Sequence, residues 1–133
     1  MTDDIDAALA IRRQVFIEEQ GVAFEDDVDG KDADAIHLLA VEDGRAVGTA
    51  RLLIAGEVGK IGRVAVLSDM RGCGLGKALV LFAVDELRRR GASRAMLGAQ
   101  THALGFYEAL GFAAFGPEFM DAGIPHREMV REL

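Results

Sequence analysis

One cysteine, two prolines, one tyrosine and no tryptophan stand in a chain of 133 residues. The lone Cys73 cannot form an internal disulfide, and no Cys/His spacing suits a zinc site, so no metal is expected. Without a Pro/Ser-rich stretch there is no linker, and residues 1–133 read as one domain large enough to bury a core unaided. No apolar run reaches the roughly 18 residues of a membrane span, and the opening MTDDIDAALA is acidic where a secretory leader would be basic. The cytoplasm is the expected compartment, with no membrane partner. Positive charge is also short: 15 Lys and Arg against 22 Asp and Glu leave a net charge of −7. Broad nucleic-acid binding is thereby excluded, because it needs basic side chains to neutralise phosphates. Any phosphate-bearing ligand must be gripped locally.

What is abundant is apolar residues, 50% of the chain, and glycine, 16 in all. Ile5, Ala8, Leu9, Val15 and Phe16 recur at helical spacing, with Thr2 or Asp3 as cap and Gly21 as stop. Residues 37–41 and 46–54 read as strands around the turn Glu42-Asp43-Gly44-Arg45, and 60–67 as a third. Residues 75–90 predict a helix ending on three arginines and Gly91, where cations suit the dipole. A strand over 94–99, a short helix over 103–110 and strands at 112–115 and 127–130 follow. The fold class is α/β: a mixed central sheet flanked by helices.

The segment "DMRGCGLGKALVLF", residues 69–82, sets a glycine-rich turn between strand and helix. Such a turn leaves backbone N–H groups free at a helix N-terminus, where the dipole favours an anion. Three phosphate motifs compete for it. The Walker type fails because Arg71 occupies its first glycine and Ala78 replaces the magnesium-binding hydroxyl. The dinucleotide type fails on spacing after Gly74, and the following strand offers no acid for a ribose. Arg-x-x-Gly-x-Gly, from Arg71 to Gly76, remains.

This pattern resembles the acetyl-coenzyme A pyrophosphate loop of the GNAT superfamily of N-acetyltransferases. "QTHALGFYEALGF", residues 100–112, resembles the later Asn-x-x-Ala-x-x-Phe-Tyr-x-x-x-Gly-Phe segment of that family, with Gln100 for the usual Asn. The opening "RRQVFIEEQGV" and closing "GPEFMDAGIPHREM" are similar to the ElaA-like bacterial subgroup. One departure stands out: the family begins with a strand, whereas here a helix starts almost at Met1, so that first strand is expected to be missing or shortened.

The resemblance implies an acetyl-CoA-dependent N-acetyltransferase, with acetyl-CoA as cosubstrate and a small-molecule or peptide amine as acceptor. Backbone N–H groups at Gly72, Cys73, Gly74, Gly76 and Lys77 would hold the pyrophosphate, with Arg71 closing the loop. Val64, Ala65 and Val66 would pair with pantetheine, and an N–H near Val64 would polarise the thioester carbonyl. Gln100 and Phe106 complete the cofactor set. Tyr107 would donate a proton to the departing thiolate, since a thiol and a phenol lie within roughly two pKa units of each other. Helical spacing turns Ala103, Phe106 and Leu110 toward the core and Tyr107 about 100° away from it. Cys73 is expected to be a buried, inert residue.

The acceptor amine must lose a proton before it attacks, so a base is needed. His126, after the proline of "GIPHREM", is the favoured candidate, ahead of His102, His37, Glu18 and Glu19. Glu18, Glu19, Gln20 and Arg63 are assigned to the acceptor wall. The run "EDDVDGKDAD", residues 25–34, mimics a calcium loop but puts Ile36 where the bidentate glutamate belongs, so a solvated acidic loop is expected. A CoA-binding module without catalysis is the alternative, and the resemblance admits a homodimer.

Overall fold

A computed structural model describes residues 4–23 and 30–133. Helix α1, Ile5–Arg12, is capped by Asp4, whose side chain accepts the Ala7 N–H at 3.0 Å. Thr2 and Asp3, the expected caps, lie outside the described residues, as do 25–29 of the acidic run. Beyond α1 the chain widens into a π-helix over Arg13–Glu19. There the Gln20 N–H reaches back to the Val15 carbonyl at 3.1 Å, and the turn ends at Gly21, φ 73°, as expected.

Among the described residues six strands form the sheet: β1 Ile36–Glu42, β2 Arg45–Ala55, β3 Val58–Val66, β4 Arg94–Gln100, β5 Ala113–Asp121 and β6 Ile124–Glu132. Their order is β1-β2-β3-β4-β6-β5, and only β3 and β4 run parallel. Among the described residues no strand precedes α1, and β1 is the first strand of the sheet. β1 and β2 join through Asp43 (φ 51°) and Gly44 (φ 78°), the paired positive φ that suits the twist of a two-residue hairpin.

β5 and β6 are longer than the expected 112–115 and 127–130. Gly116 and Pro117 disguise β5, but they sit in a bulge between Phe115 and Phe119 on an edge strand, where proline costs no ladder bond. Helix α2, Leu75–Arg89, packs Leu79, Val80, Ala83, Val84 and Leu87 on one sheet face against Leu38, Leu52, Ile61 and Leu97. α1 and the π-helical turn cover the other face with Ile11 and Val15 against Ala65 and Leu67. Among the described residues no helix is long and apolar enough to cross a membrane.

One irregularity in β3 shapes everything that follows. Arg63 adopts φ 51°, and the pairing with β2 slips there: Arg51 faces Gly62 while Thr49 faces Ala65. That extra residue is a β-bulge, which bends and twists its strand. It also reverses the alternation of faces, so that Ile61 and Val64 belong to the α2 side and Ala65 to the α1 side.

Candidate active site

Strands β3 and β4 pair over three residues only: Val58 with Arg94, Gly59 with Ala95 and Lys60 with Met96. Beyond these, β3 continues with β2 as far as Val66, and β4 continues with β6 as far as Gln100, but they no longer bond to each other. The sheet splits into two arms. A cavity of about 680 Å³ fills the split, lined by Val64, Ala65 and Val66 on one side and by Gly98, Ala99 and Gln100 on the other.

At the end of β3 the chain makes a single turn, Ser68–Met70, and then the glycine loop. Gly72 and Gly74 take φ 81° and 84°, which other residues adopt only at a cost. Gly76 differs: its φ is ordinary, and an added Cβ would meet Phe106 at 3.6 Å. The first helical N–H to find a backbone acceptor is that of Ala78, which bonds Gly74 O at 3.0 Å. Among the described residues, the N–H groups of 72–77 have no backbone acceptor. A cluster of aimed donors at a helix start fits a diphosphate. A second cavity, of about 370 Å³, lies against these residues and shares Val66 and Arg71 with the first.

Arg71 does not reach outward as a free cation. Its Nη1 and Nη2 donate to Glu19 at 2.5 and 2.9 Å, and its Nε donates to Val66 O at 3.1 Å. The Arg71 hydrogen bond is the main reason the Glu19 carboxyl is held below its ordinary range. The adjacent Gln20, expected in the acceptor wall, accepts from the Gln100 amide at 3.1 Å, and His102 Nε2 bonds the Gln100 oxygen at 2.6 Å. Two consecutive residues at the end of the π-helical turn thus hold both arms of the split.

Tyr107 lies on the short helix α3, Leu104–Glu108, and lines the larger cavity. Its environment corrects the expected helix phase. Leu104 and Tyr107 pack on the core with Leu110, whereas Phe106 is 42% exposed and faces the glycine loop. The helix closes on a tightened turn, the Leu110 N–H donating to Tyr107 O at 3.0 Å, and that spacing of three sets Leu110 in line with Tyr107 rather than Phe106. Packed edge-on against Phe106 and Phe112, the phenol is desolvated, and burial pushes its pKa up to about 12.

His126 stands on β6 opposite Gln100, buried, stacked on Phe119 at 5.8 Å, and lines the cavity. Its Nδ1 bonds Ile124 O at 2.7 Å. A carbonyl only accepts, so Nδ1 carries hydrogen and the neutral ring keeps its lone pair on Nε2.

The remaining candidates divide. Glu19, Arg63 and His102 line the larger cavity, and Gly72, Gly74, Gly76, Lys77 and Phe106 the smaller. Glu18 is outside both linings, 3.7 Å from Arg13, because the π-helical turn presents Val15, Phe16 and Glu19 inward. Cys73 is exposed, against expectation; its thiol donates to Met70 O at 2.8 Å, and the raised loop leaves it nothing to be buried under. His37 is buried on β1 against Asp32 O at 2.9 Å, away from the cavity. Glu128, Phe119 and Asp121 were not foreseen; they line the cavity from strands whose length Gly116 and Pro117 obscured.

A family profile described as an acetyltransferase (GNAT) domain matches residues 12–133. A provisionally assigned acetyltransferase of Bacillus subtilis is 41% identical over 132 residues, covering 97% of this chain and 90% of that one. Escherichia coli ElaA is 33% identical over 133 residues, covering 96% and 86%. The crystal structure of ElaA superposes with a TM-score of 0.88 over 99% of this chain and 92% of that chain, at 31% identity. A Bacillus subtilis acetyltransferase in complex with CoA shares the fold, with a TM-score of 0.76 at 18% identity over 100% of this chain and 95% of that one.

Proposed function

The chain belongs to the GNAT acetyltransferase family and is an acyltransferase, and from that premise we propose that it moves acetyl from acetyl-CoA directly to a primary amine. Transfer runs in one ternary complex in the cytoplasm, without a covalent enzyme intermediate. The observation that carries this reading is the split between β3 and β4, which leads from the glycine loop to Tyr107 and His126.

Acetyl-CoA supplies an activated thioester when bound. The unsatisfied N–H groups of 72–77 hold its diphosphate, and the unpaired β3 edge at Val64, Ala65 and Val66 takes the pantetheine arm as an added strand. An N–H near Val64 polarises the thioester carbonyl. The Nε2 lone pair of His126 takes a proton from the acceptor ammonium or from the attacking amine. The N–C bond forms as the C–S bond breaks, and the Tyr107 hydroxyl donates its proton to the departing sulfur. A phenol with a pKa near 12 remains protonated at neutral pH and is therefore present as a donor. Phe106 packs beside Gly76 at the loop, and Arg63 faces the acceptor end of the cleft.

The test begins with melting temperature in acetyl-CoA, CoA, NAD and ATP. Ligand at about a hundred times its dissociation constant adds about 2.7 kcal/mol, several degrees for a domain of this size. A shift with CoA species alone, followed by acetylation of amines that Tyr107→Phe impairs, is expected. An equal shift with ATP would defeat the reading, and CoA binding with no turnover of any amine would leave a CoA-binding module.

A further inference from the structure

Strand β6 reaches the cleft on one face and helix α3 on the other. His126 and Arg131 stand five positions apart on it, in unbroken register with β4, so their side chains leave opposite faces of the sheet. His126 lines the cleft. Arg131 shares the face of Met129, which is buried in the core under α2, and there its Nη1 donates to Leu110 O at 2.9 Å.

That carbonyl closes the turn that carries Tyr107. α3 has five residues, too few to hold a helix unaided. Around its end the N–H groups of Leu110 and Phe112 both donate to Tyr107 O, at 3.0 and 3.1 Å, and Arg131 takes the Leu110 carbonyl. The Arg131 stem also lies across Gly111, where an added Cβ would meet its Cδ and Nε at 3.3 Å. The ring contacts of Tyr107 with Phe106 and Phe112 belong to the same segment and travel with it. Leu104 and Leu110 pack on the core, a contact without direction. The Arg131 hydrogen bond adds a directional tether to β6.

We propose that Arg131 is a positioning residue for acetyl transfer: by holding the Leu110 carbonyl to β6, it sets where the Tyr107 hydroxyl stands relative to His126. The proposal rests on the reading of Tyr107 as proton donor to the departing sulfur. Displacing a reacting group by about 1 Å can cost about 10²-fold in rate, so one bond on this turn has leverage on kcat.

Two variants separate the donor from its stem. Arg131→Met keeps an apolar stem over Gly111 and removes the N–H. Arg131→Lys keeps a donor, and a single contact to a carbonyl does not need the guanidinium fork. Initial rates are measured with acetyl-CoA against glycinamide and 1,4-diaminobutane. Arg131→Met is expected to lower kcat about tenfold with the KM for acetyl-CoA near native, and Arg131→Lys to recover most of that loss. In Tyr107→Phe, adding Arg131→Met should cost nothing further, because the group it places is already gone. Tyr107 is the only tyrosine in a chain without tryptophan, so the ultraviolet absorbance of its phenolate reports its surroundings directly. The phenol should ionise at lower pH in Arg131→Met than in the native protein, and Arg131→Lys should restore the native titration. Should Arg131→Met not fold, Arg131→Gln, whose shorter side chain loses the contact, takes its place.

A loss as large in the Tyr107→Phe background as in the native one, or a phenol titration unmoved by Arg131→Met, overturns the proposal and leaves acetyl transfer standing. If neither amine reacts, or if Tyr107→Phe keeps the full rate, the role read for Tyr107 falls, and the phenol titration alone decides whether Arg131 sets the place of that side chain. A titration moved in Arg131→Met and restored in Arg131→Lys supports the placement; an unmoved one overturns it.

Discussion

Glu19 and Arg71, 52 positions apart in the chain, meet in a two-point ion pair at 2.5 and 2.9 Å, and the same guanidinium holds Val66 O at 3.1 Å. Arg71 therefore braces the glycine loop between the π-helical turn and the end of β3, with its charge already answered by a carboxylate. The pair is half-exposed, 43% and 41% for the two side chains, so its net effect on stability is at most about 1 kcal/mol. Its effect on loop order is larger. Glu19→Ala is expected to raise the KM for acetyl-CoA several-fold, with kcat and melting temperature nearly unchanged.

The same pair predicts a pH dependence with a definite sign. Arg71 holds the Glu19 carboxyl below its ordinary value of 4.5 against a smaller opposing effect of burial. A depressed carboxylate contributes fully above its unfolded pKa and loses that contribution as pH falls through the folded one. The advantage of the native protein over Glu19→Gln in acetyl-CoA affinity should stay constant down to about pH 5 and fade below it. Calorimetric titrations of both proteins at several pH values check this, and an advantage that persists under strong acid would refute the brace.

Gly74 and Gly76 are expected to respond differently to alanine. Gly74 has φ 84° with open space around it, so alanine there strains the backbone by about 1 kcal/mol and turns its N–H away from the diphosphate position. Gly76 has an ordinary φ, and alanine meets Phe106 at 3.6 Å, a normal contact. Gly74→Ala should melt a few degrees lower and lose most of the acetyl-CoA shift. Gly76→Ala should melt near the native temperature, so any loss of its acetyl-CoA shift measures steric approach of the cofactor to the loop.

Much of this was legible before the coordinates. The hairpin turn, the glycine loop, the α2 terminus and the two motifs were written in local patterns that need no distant partner. Three things were not. The bulge at Arg63 depends on how β2 and β3 align, which no single-strand pattern states. The partnerships of Glu19 with Arg71 and of Gln20 with Gln100 join residues 52 and 80 positions apart. The phase of α3 was misread because its end tightens from Tyr107 to Leu110, and the core face falls on Tyr107 rather than Phe106. Short irregular segments defeat a reading that assumes ideal periods.

Tyr107→Phe should separate chemistry from packing. The phenol ring is wedged between Phe106 and Phe112, a fit phenylalanine preserves, so the fold and acetyl-CoA binding should persist. Loss of the proton donor is expected to lower kcat by about 10²-fold. Burial has raised the tyrosine pKa to about 12. The unfolded chain therefore ionises first, and stability present below about pH 10 is lost as pH climbs toward the folded value. Phenylalanine removes that loss, so the native protein should weaken more steeply than Tyr107→Phe above pH 10.

His126 gives the last and sharpest test, because its tautomer is fixed by a neighbour that cannot donate. With Nδ1–H on Ile124 O at 2.7 Å, only Nε2 can accept a proton, and protonation of that atom removes the base. His126→Gln should therefore lower kcat/KM by about 10²-fold. His102, committed through Nε2 to Gln100, serves as the control. His102→Ala should keep most of the rate. A rate that survives in His126→Gln and collapses in His102→Ala would transfer the role of base from one side of Gln100 to the other, leaving the cleft and its cofactor loop as described.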